Sequence, residues 1–190
     1  MNGGSYMRPL RRFATVLTIG AAATAVLAQV RVTTQATLLD RIQIEDMITR
    51  YYYELGGGDA KAFGDYYTDD PVFDVNGTVA RGKQAIEAIY RNLGGTSPAA
   101  HGTFHMLLSN PLIEVNGDTA SARFLWTGII NDEVHAPPRF VEQGREYDLL
   151  TKRNGAWRIA KRVIISDSGL PAMFEKTYTP RRDYDPAKDR

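Results

Sequence analysis

The 190 residues carry 23 Lys and Arg against 22 Asp and Glu, a formal net charge of +1, and 43% of them are hydrophobic. That size and apolar fraction suit one globular domain, and the balanced charge leaves no broad basic field to recruit nucleic acid. The absence of cysteine excludes disulfides, thiolate chemistry and thiolate metal sites, and three histidines without metal-ligand spacing point to no metal.

At the N-terminus Arg8, Arg11 and Arg12 precede an apolar stretch from Phe13 to Ala28. A basic segment, a short apolar run and a small residue at its end are the parts of a secretory signal peptide. Residues 1–28 are therefore expected to be removed near Ala28, which would place the mature chain in the periplasm without stable membrane insertion. The alternative, an uncleaved anchor, needs a span of ~20 residues, and this stretch is short and rich in Ala, Gly and Thr.

From Leu38 to Leu55 apolar residues recur at helical spacing, and Gly56-Gly57-Gly58 ends the run. Asp59 is placed to cap a second helix carrying Phe63, Tyr66 and Tyr67. A short strand at Pro71 to Val75 meets the turn Asn76-Gly77, and Gly82 to Leu93 reads as a third helix stopped by Gly94-Gly95. Beyond Ser97 the period changes to two. Thr103 to Val115 and Thr119 to Ile130 flank Asn116-Gly117-Asp118, and Arg139 to Lys152 and Ala156 to Ser166 flank Asn154-Gly155, two hairpin signals. Three helices followed by long antiparallel strands predict an α+β fold, with the domain at 38–178 and an extended charged tail at 179–190, lying along the surface or a partner subunit.

His105 interrupts the apolar run Phe104-His105-Met106-Leu107-Leu108. With strict alternation it shares a face with Leu107, Ser109, Pro111, Ile113 and Val115. If Ile113 and Val115 face the core, so does His105, and an imidazole in an apolar interior is a candidate general base. The competing reading is a packed core histidine bonded to nearby backbone.

Several segments resemble the nuclear transport factor 2-like superfamily, in particular its SnoaL-like small enzymes and binding proteins. They are Ile44-Glu-Asp-Met-Ile-Thr-Arg-Tyr-Tyr-Tyr, Tyr66-Tyr-Thr-Asp-Asp-Pro-Val-Phe, Gly82-Lys-Gln-Ala-Ile, the stretch Ser109 to Arg123, Gly144-Arg-Glu-Tyr-Asp, and Asn154-Gly-Ala-Trp-Arg-Ile-Ala-Lys-Arg. The resemblance implies a cone of three N-terminal helices on a strongly curved mixed or antiparallel sheet that encloses a pocket. Its lyase-type members use a histidine on the strand entered here and an aspartate just after the first helix. The aspartate position falls on Gly56, and the ungapped histidine position falls on Met106; His105 takes that place only with one extra residue in the strand. The combination of Phe104 to Pro111 with Gly144-Arg-Glu-Tyr-Asp is also similar to members that release formaldehyde from lignin-derived diarylpropane diols.

A replacement acid is expected from Arg139 to Lys152. Pattern alone buries Val141, Tyr147 and Leu149 and leaves Glu142, Glu146 and Asp148 in solvent, whereas the resemblance turns the acids toward the pocket. In the inward register burial would raise a carboxyl pKa and poise it for proton transfer. Glu142 is the preferred partner of His105 and Asp148 the second; the alternative is ordinary cross-strand pairing with Arg145, Arg158 or Arg162. Tyr52, four residues after Ile48 and three before Leu55, falls on the buried helix face with a hydroxyl in need of a partner, and Tyr67 and Tyr90 are similar. Ala120, Ala122, Phe124, Trp126 and Gly128 share a face, and Phe124 and Trp126 are expected to line the pocket together with Met106, Asn110, Glu146, Tyr67 and Tyr90.

These residues suit a cofactor-independent lyase, dehydratase or isomerase for a small hydrophobic, aromatic oxygenated compound, with His105 as the base and Glu142, Asp148 or Tyr52 as the acid. The alternatives are a non-catalytic protein that binds a hydrophobic ligand on the same fold, which Gly56 favours, and a dimerisation module. The apolar strands at Phe124 to Ile130 and Val163 to Ile165 predict a homodimer under each reading.

Overall fold

A computed structural model describes residues 33–54, 62–96 and 103–181. The expected signal segment 1–28, the Gly56-Gly57-Gly58 stop, the Asp59 cap and tail residues 182–190 lie outside the described residues. Helix α1 (Gln35–Glu54) buries Ile44, Ile48, Tyr51 and Tyr52, the i, i+4, i+7, i+8 stripe of an amphipathic helix. A 3-10 turn (Ala62–Tyr66) then leads into β1 (Tyr67–Val75), β2 (Thr78–Arg81) and helix α2 (Lys83–Thr96). The long strands β3 (Thr103–Asn116), β4 (Thr119–Asn131), β5 (Arg139–Arg153) and β6 (Ala156–Ser168) follow, and the chain closes with a second 3-10 turn, Ala172–Phe174.

One six-stranded sheet runs in the order β2-β1-β6-β5-β4-β3. All neighbours are antiparallel except β1 and β6, which run parallel, so the sheet is mixed. The hairpins form where Asn-Gly signals stand: Asn154 and Gly155 adopt φ of 51° and 78°, the left-handed pair that a tight turn matched to strand twist requires. The helical expectation changes at two points. Tyr67 belongs to β1, where it pairs with Ile159 of β6, because sheet pairing overrides the weak helical signal around it. Helix α2 continues through Gly94-Gly95 to Thr96, and the second expected helix is a 3-10 turn at Ala62–Tyr66, so the described residues hold two α-helices where three were expected. Among the described residues no helix is long and apolar enough to cross a membrane.

The largest correction concerns β3. Ser109 pairs with Leu125 but Leu112 pairs with Arg123, so β3 advances three residues while β4 advances two. Asn110 absorbs the extra residue at φ 52°, a left-handed conformation that Asn tolerates better than most residues. A bulge reverses the parity of everything before it. Phe104, Met106 and Leu108 are therefore half-buried on the face of Ile113, and His105 and Leu107 stand exposed on the other face.

The apolar core lies between the sheet's concave face and helices α1 and α2, and includes Ile44, Ile48, Phe73, Ile86, Ile113, Phe124, Leu150, Trp157 and Ile159. On the convex face Tyr147, Val163 and Ile165 form a second cluster capped by Tyr178, whose hydroxyl donates to Ser166 O at 2.7 Å. Arg181 continues this strap, pairing with Asp74 at 3.0 Å, and its carbonyl accepts from Arg145 Nη2 at 2.6 Å. Strand β5 is consequently covered on both faces along its middle.

Candidate functional site

That double covering decides the register of β5. Glu142, Gly144, Glu146, Asp148 and Leu150 lie opposite Gly128, Trp126, Phe124, Ala122 and Ala120 of β4, all on the concave face. Tyr147 faces the convex side, where the C-terminal strap buries it, so its apolar character does not signal the main core. Glu146 and Asp148 are fully buried, at 0% exposure.

The cation that admits them is Arg162, also at 0% exposure and directly opposite Asp148 in β6. Its Nε donates to Asp148 Oδ1 at 2.8 Å and its Nη2 to Asp148 Oδ2 at 2.9 Å, a bidentate pair. Glu146 Oε1 lies 3.0 Å from Arg162 Nη2 as an ion pair, out of line for a hydrogen bond, while the Tyr52 hydroxyl donates to Glu146 Oε2. The guanidinium sits 4.2 Å from the Tyr51 ring centroid, 5.6 Å from that of Tyr52 and 6.0 Å from that of Tyr67. Aromatic faces of this kind stabilise a desolvated cation. Above it the Tyr51 hydroxyl is hydrogen-bonded to those of Tyr90 and, at 3.3 Å, Tyr67, and Phe73 stacks on Tyr90.

Burial governs the proton affinities here. It pushes Glu146 well above the usual carboxyl value, with Arg162 opposing and the Asp148 charge adding. Burial also pushes the Tyr67 and Tyr90 hydroxyls up against the pull of Arg162, leaving them as donors. Glu142, two positions before Gly144 on the same face, is partly buried without Arg162's company; desolvation alone raises it to about 7.

The expected residues thus separate into two groups. Tyr52, Tyr67, Tyr90, Phe124, Trp126, Glu146 and Asp148 come together on the concave side, with Met106 half-buried beside the core and Glu142 farther along β5. His105 points away from them, and Asn110 is exposed at the bulge, so neither reaches this surface. Tyr51 is an addition; Arg162 is the cross-strand partner that the alternative reading of these acids had named, and it pairs with both Asp148 and Glu146. Among the described residues no group of three His, Asp or Glu side chains is arranged to hold a metal ion.

The family model of the SnoaL-like domain matches residues 36–163, which spans α1 through the Arg162 centre. The chain belongs to the SnoaL-like family. Solved structures share its nuclear transport factor 2-like fold. A Mycobacterium tuberculosis protein of unknown function is 25% identical over 70% of this chain and 74% of its own, with a TM-score of 0.60. A nuclear transport factor 2-like protein with a cystatin-like fold from Novosphingobium aromaticivorans is 21% identical over 77% and 97%, with a TM-score of 0.58. A scytalone dehydratase candidate from the same organism is 20% identical over 72% and 89%, with a TM-score of 0.60. No curated protein matches the chain. Fold and family are fixed by these likenesses; the chemistry of this SnoaL-like chain has to be argued from its own side chains.

Proposed function

We propose that this SnoaL-like protein is a cofactor-independent lyase, dehydratase or isomerase acting on a small hydrophobic, aromatic oxygenated compound. The observation that carries the reading is the contrast between two carboxyls on one strand face: Glu142, raised to about 7 by desolvation with no cation beside it, and Glu146, sealed against Arg162 and Tyr52 with its proton affinity raised by burial. Environments that push two acids apart assign them opposite roles. Glu142 is the base, because near neutrality it both loses and accepts a proton readily. The Tyr52–Glu146 pair is the acid, and Arg162 with the Tyr51, Tyr67 and Tyr90 hydroxyls stabilises negative charge that develops on substrate oxygen. Phe73, Phe124 and Trp126 supply the apolar wall an aromatic body needs.

The likeness to a scytalone dehydratase candidate supports the same class through the fold. A second reading, a ligand-binding protein without turnover, is favoured by Gly56, where the resemblance expects an aspartate, and by the outward placement of His105. Product analysis of hydroxylated diaryl compounds incubated without cofactor separates the two. Turnover in the wild type and a fall of about 10²–10⁴-fold in Glu142→Gln are expected from loss of a positioned base; undiminished turnover in that variant overturns the assignment, and binding without product by the wild type establishes the second reading.

A further inference from the structure

Trp126 is 3% exposed, and its indole Nε1 has no hydrogen-bond acceptor among the described residues. A buried donor left bare costs roughly 1–3 kcal/mol, so such groups call for a partner. The other tryptophan is satisfied: Trp157 Nε1 donates to Asp40 Oδ1 at 3.0 Å. Beside Trp126 on the concave face stands Glu142, its diagonal cross-strand neighbour, which has neither a hydrogen bond nor an ion pair among the described residues.

Two glycines make room for this arrangement. A Cβ at Gly128 would fall 2.6 Å from Glu142 Cγ and 2.9 Å from Phe104 Cε2; a Cβ at Gly144 would fall 2.5 Å from Trp126 Cζ2 and 2.8 Å from Cε2, the atom bonded to Nε1. Glu142 therefore lies across the bare backbone of β4, and Trp126 across that of β5. Toward this end of the sheet β5 carries an extra residue: Gly128 pairs with Glu142 but Ile129 with Phe140. There Glu142 lines a cleft of about 340 Å³ together with Thr127, Phe140, Val141, Gln143 and Ser168.

We infer that Trp126 Nε1 and the Glu142 carboxylate form a subsite that recognises a hydroxyl group of an aromatic alcohol. The donor without an acceptor and the acceptor without a donor select a group that is both. A hydroxyl oxygen accepts from Nε1 while its proton is donated to Glu142; a ketone has no proton for Glu142, an ammonium no lone pair for Nε1, and a carboxylate would face the Glu142 charge. The ring edges of Phe104 and Trp126 suit an aryl body. The inference rests on the reading of the concave face as a ligand site and adds the functional group that the base engages.

Because the chain has two tryptophans, its ¹⁵N–¹H spectrum holds two indole side-chain signals, which Trp157→Phe assigns. At pH 8 titration with 2-phenylethanol is expected to move the Trp126 signal saturably downfield and leave Trp157 in place, while ethylbenzene binds at least about 10-fold more weakly. Glu142→Leu is expected to erase that preference, as is Gly128→Ala, whose added methyl displaces Glu142; about 10-fold is the worth of one hydrogen bond to a charged group. Equal responses to the two probes, an unmoved Trp126 signal, or a preference that survives in Glu142→Leu would overturn the subsite. The proposed reaction fails separately: absence of turnover with an intact Trp126 response removes the catalytic reading alone, and turnover with an unmoved signal removes the subsite alone.

Discussion

Glu142 and Glu146 point from the same face of one strand, four residues apart, yet they occupy different electrostatic worlds. Glu146 is closed in with Arg162, Asp148 and Tyr52 at 0% exposure. Glu142 keeps contact with a solvent cleft and has the bare backbone of Gly128 and Gly169 beside it. Burial raises both proton affinities, the sealed acid's against the pull of Arg162 and the rim acid's, to about 7, with no cation opposing. A carboxyl is thus tuned less by which strand holds it than by whether water, a cation or bare backbone is its neighbour.

The comparison breaks most violently if Arg162 is removed. Arg162→Leu leaves Asp148 and Glu146 buried without their cation, and a loss of about 3–5 kcal/mol in chemical denaturation is expected; a loss below about 1 kcal/mol would mean that water already reaches the centre. At the rim, the sign of the pH effect sharpens the contrast. Glu142 has a folded value of about 7 against 4.5 for the ordinary group, so its contribution is fully favourable below 4.5 and is lost as pH rises through 7. Glu142→Gln escapes that loss and should gain about 3 kcal/mol relative to wild type between pH 4 and pH 8.5, measured as the difference between paired urea curves; an unchanged difference would show an ordinary, solvated carboxyl.

Smaller effects follow. Tyr52→Phe withdraws the donor from Glu146 and is expected to cost about 1–2 kcal/mol. Asn110→Val forces a β-branched residue into the left-handed bulge at a cost of about 1–2 kcal/mol, with Asn110→Gly close to neutral; thermal melts of the pair test the bulge that turns His105 outward. His105→Ala should stay within about 0.5 kcal/mol of wild type, as exposed substitutions do, and should leave turnover unchanged.

The fold was largely legible from sequence because hairpin turns are local chemistry: Asn-Gly pairs at 116–117 and 154–155 stand where the strands reverse, and the four long strands run within a few residues of their expected limits. The site was harder because it depends on parity, and parity is reset by single extra residues. The Asn110 bulge turned His105 out and Met106 in, so the ungapped family placement of Met106 was the better guide. In β6, Leu149 pairs with Lys161 but Leu150 with Ile159, and this second bulge carries Arg162 inward where strict alternation from Ile159 would have aimed Lys161. Strand β5 misled for another reason. Its outward residue Tyr147 is apolar because the strap around Tyr178 covers it, a contact far along the chain that no local pattern records.

The central claim, that one strand face holds two carboxyls whose proton affinities burial raises in different surroundings, is tested most directly by a ¹³C carboxyl NMR titration, with Glu142→Gln and Glu146→Gln assigning the signals. The expected result is a Glu142 midpoint near 7 and a Glu146 midpoint displaced well above the ordinary carboxyl range. Two midpoints in the ordinary carboxyl range near 4.5 would contradict it.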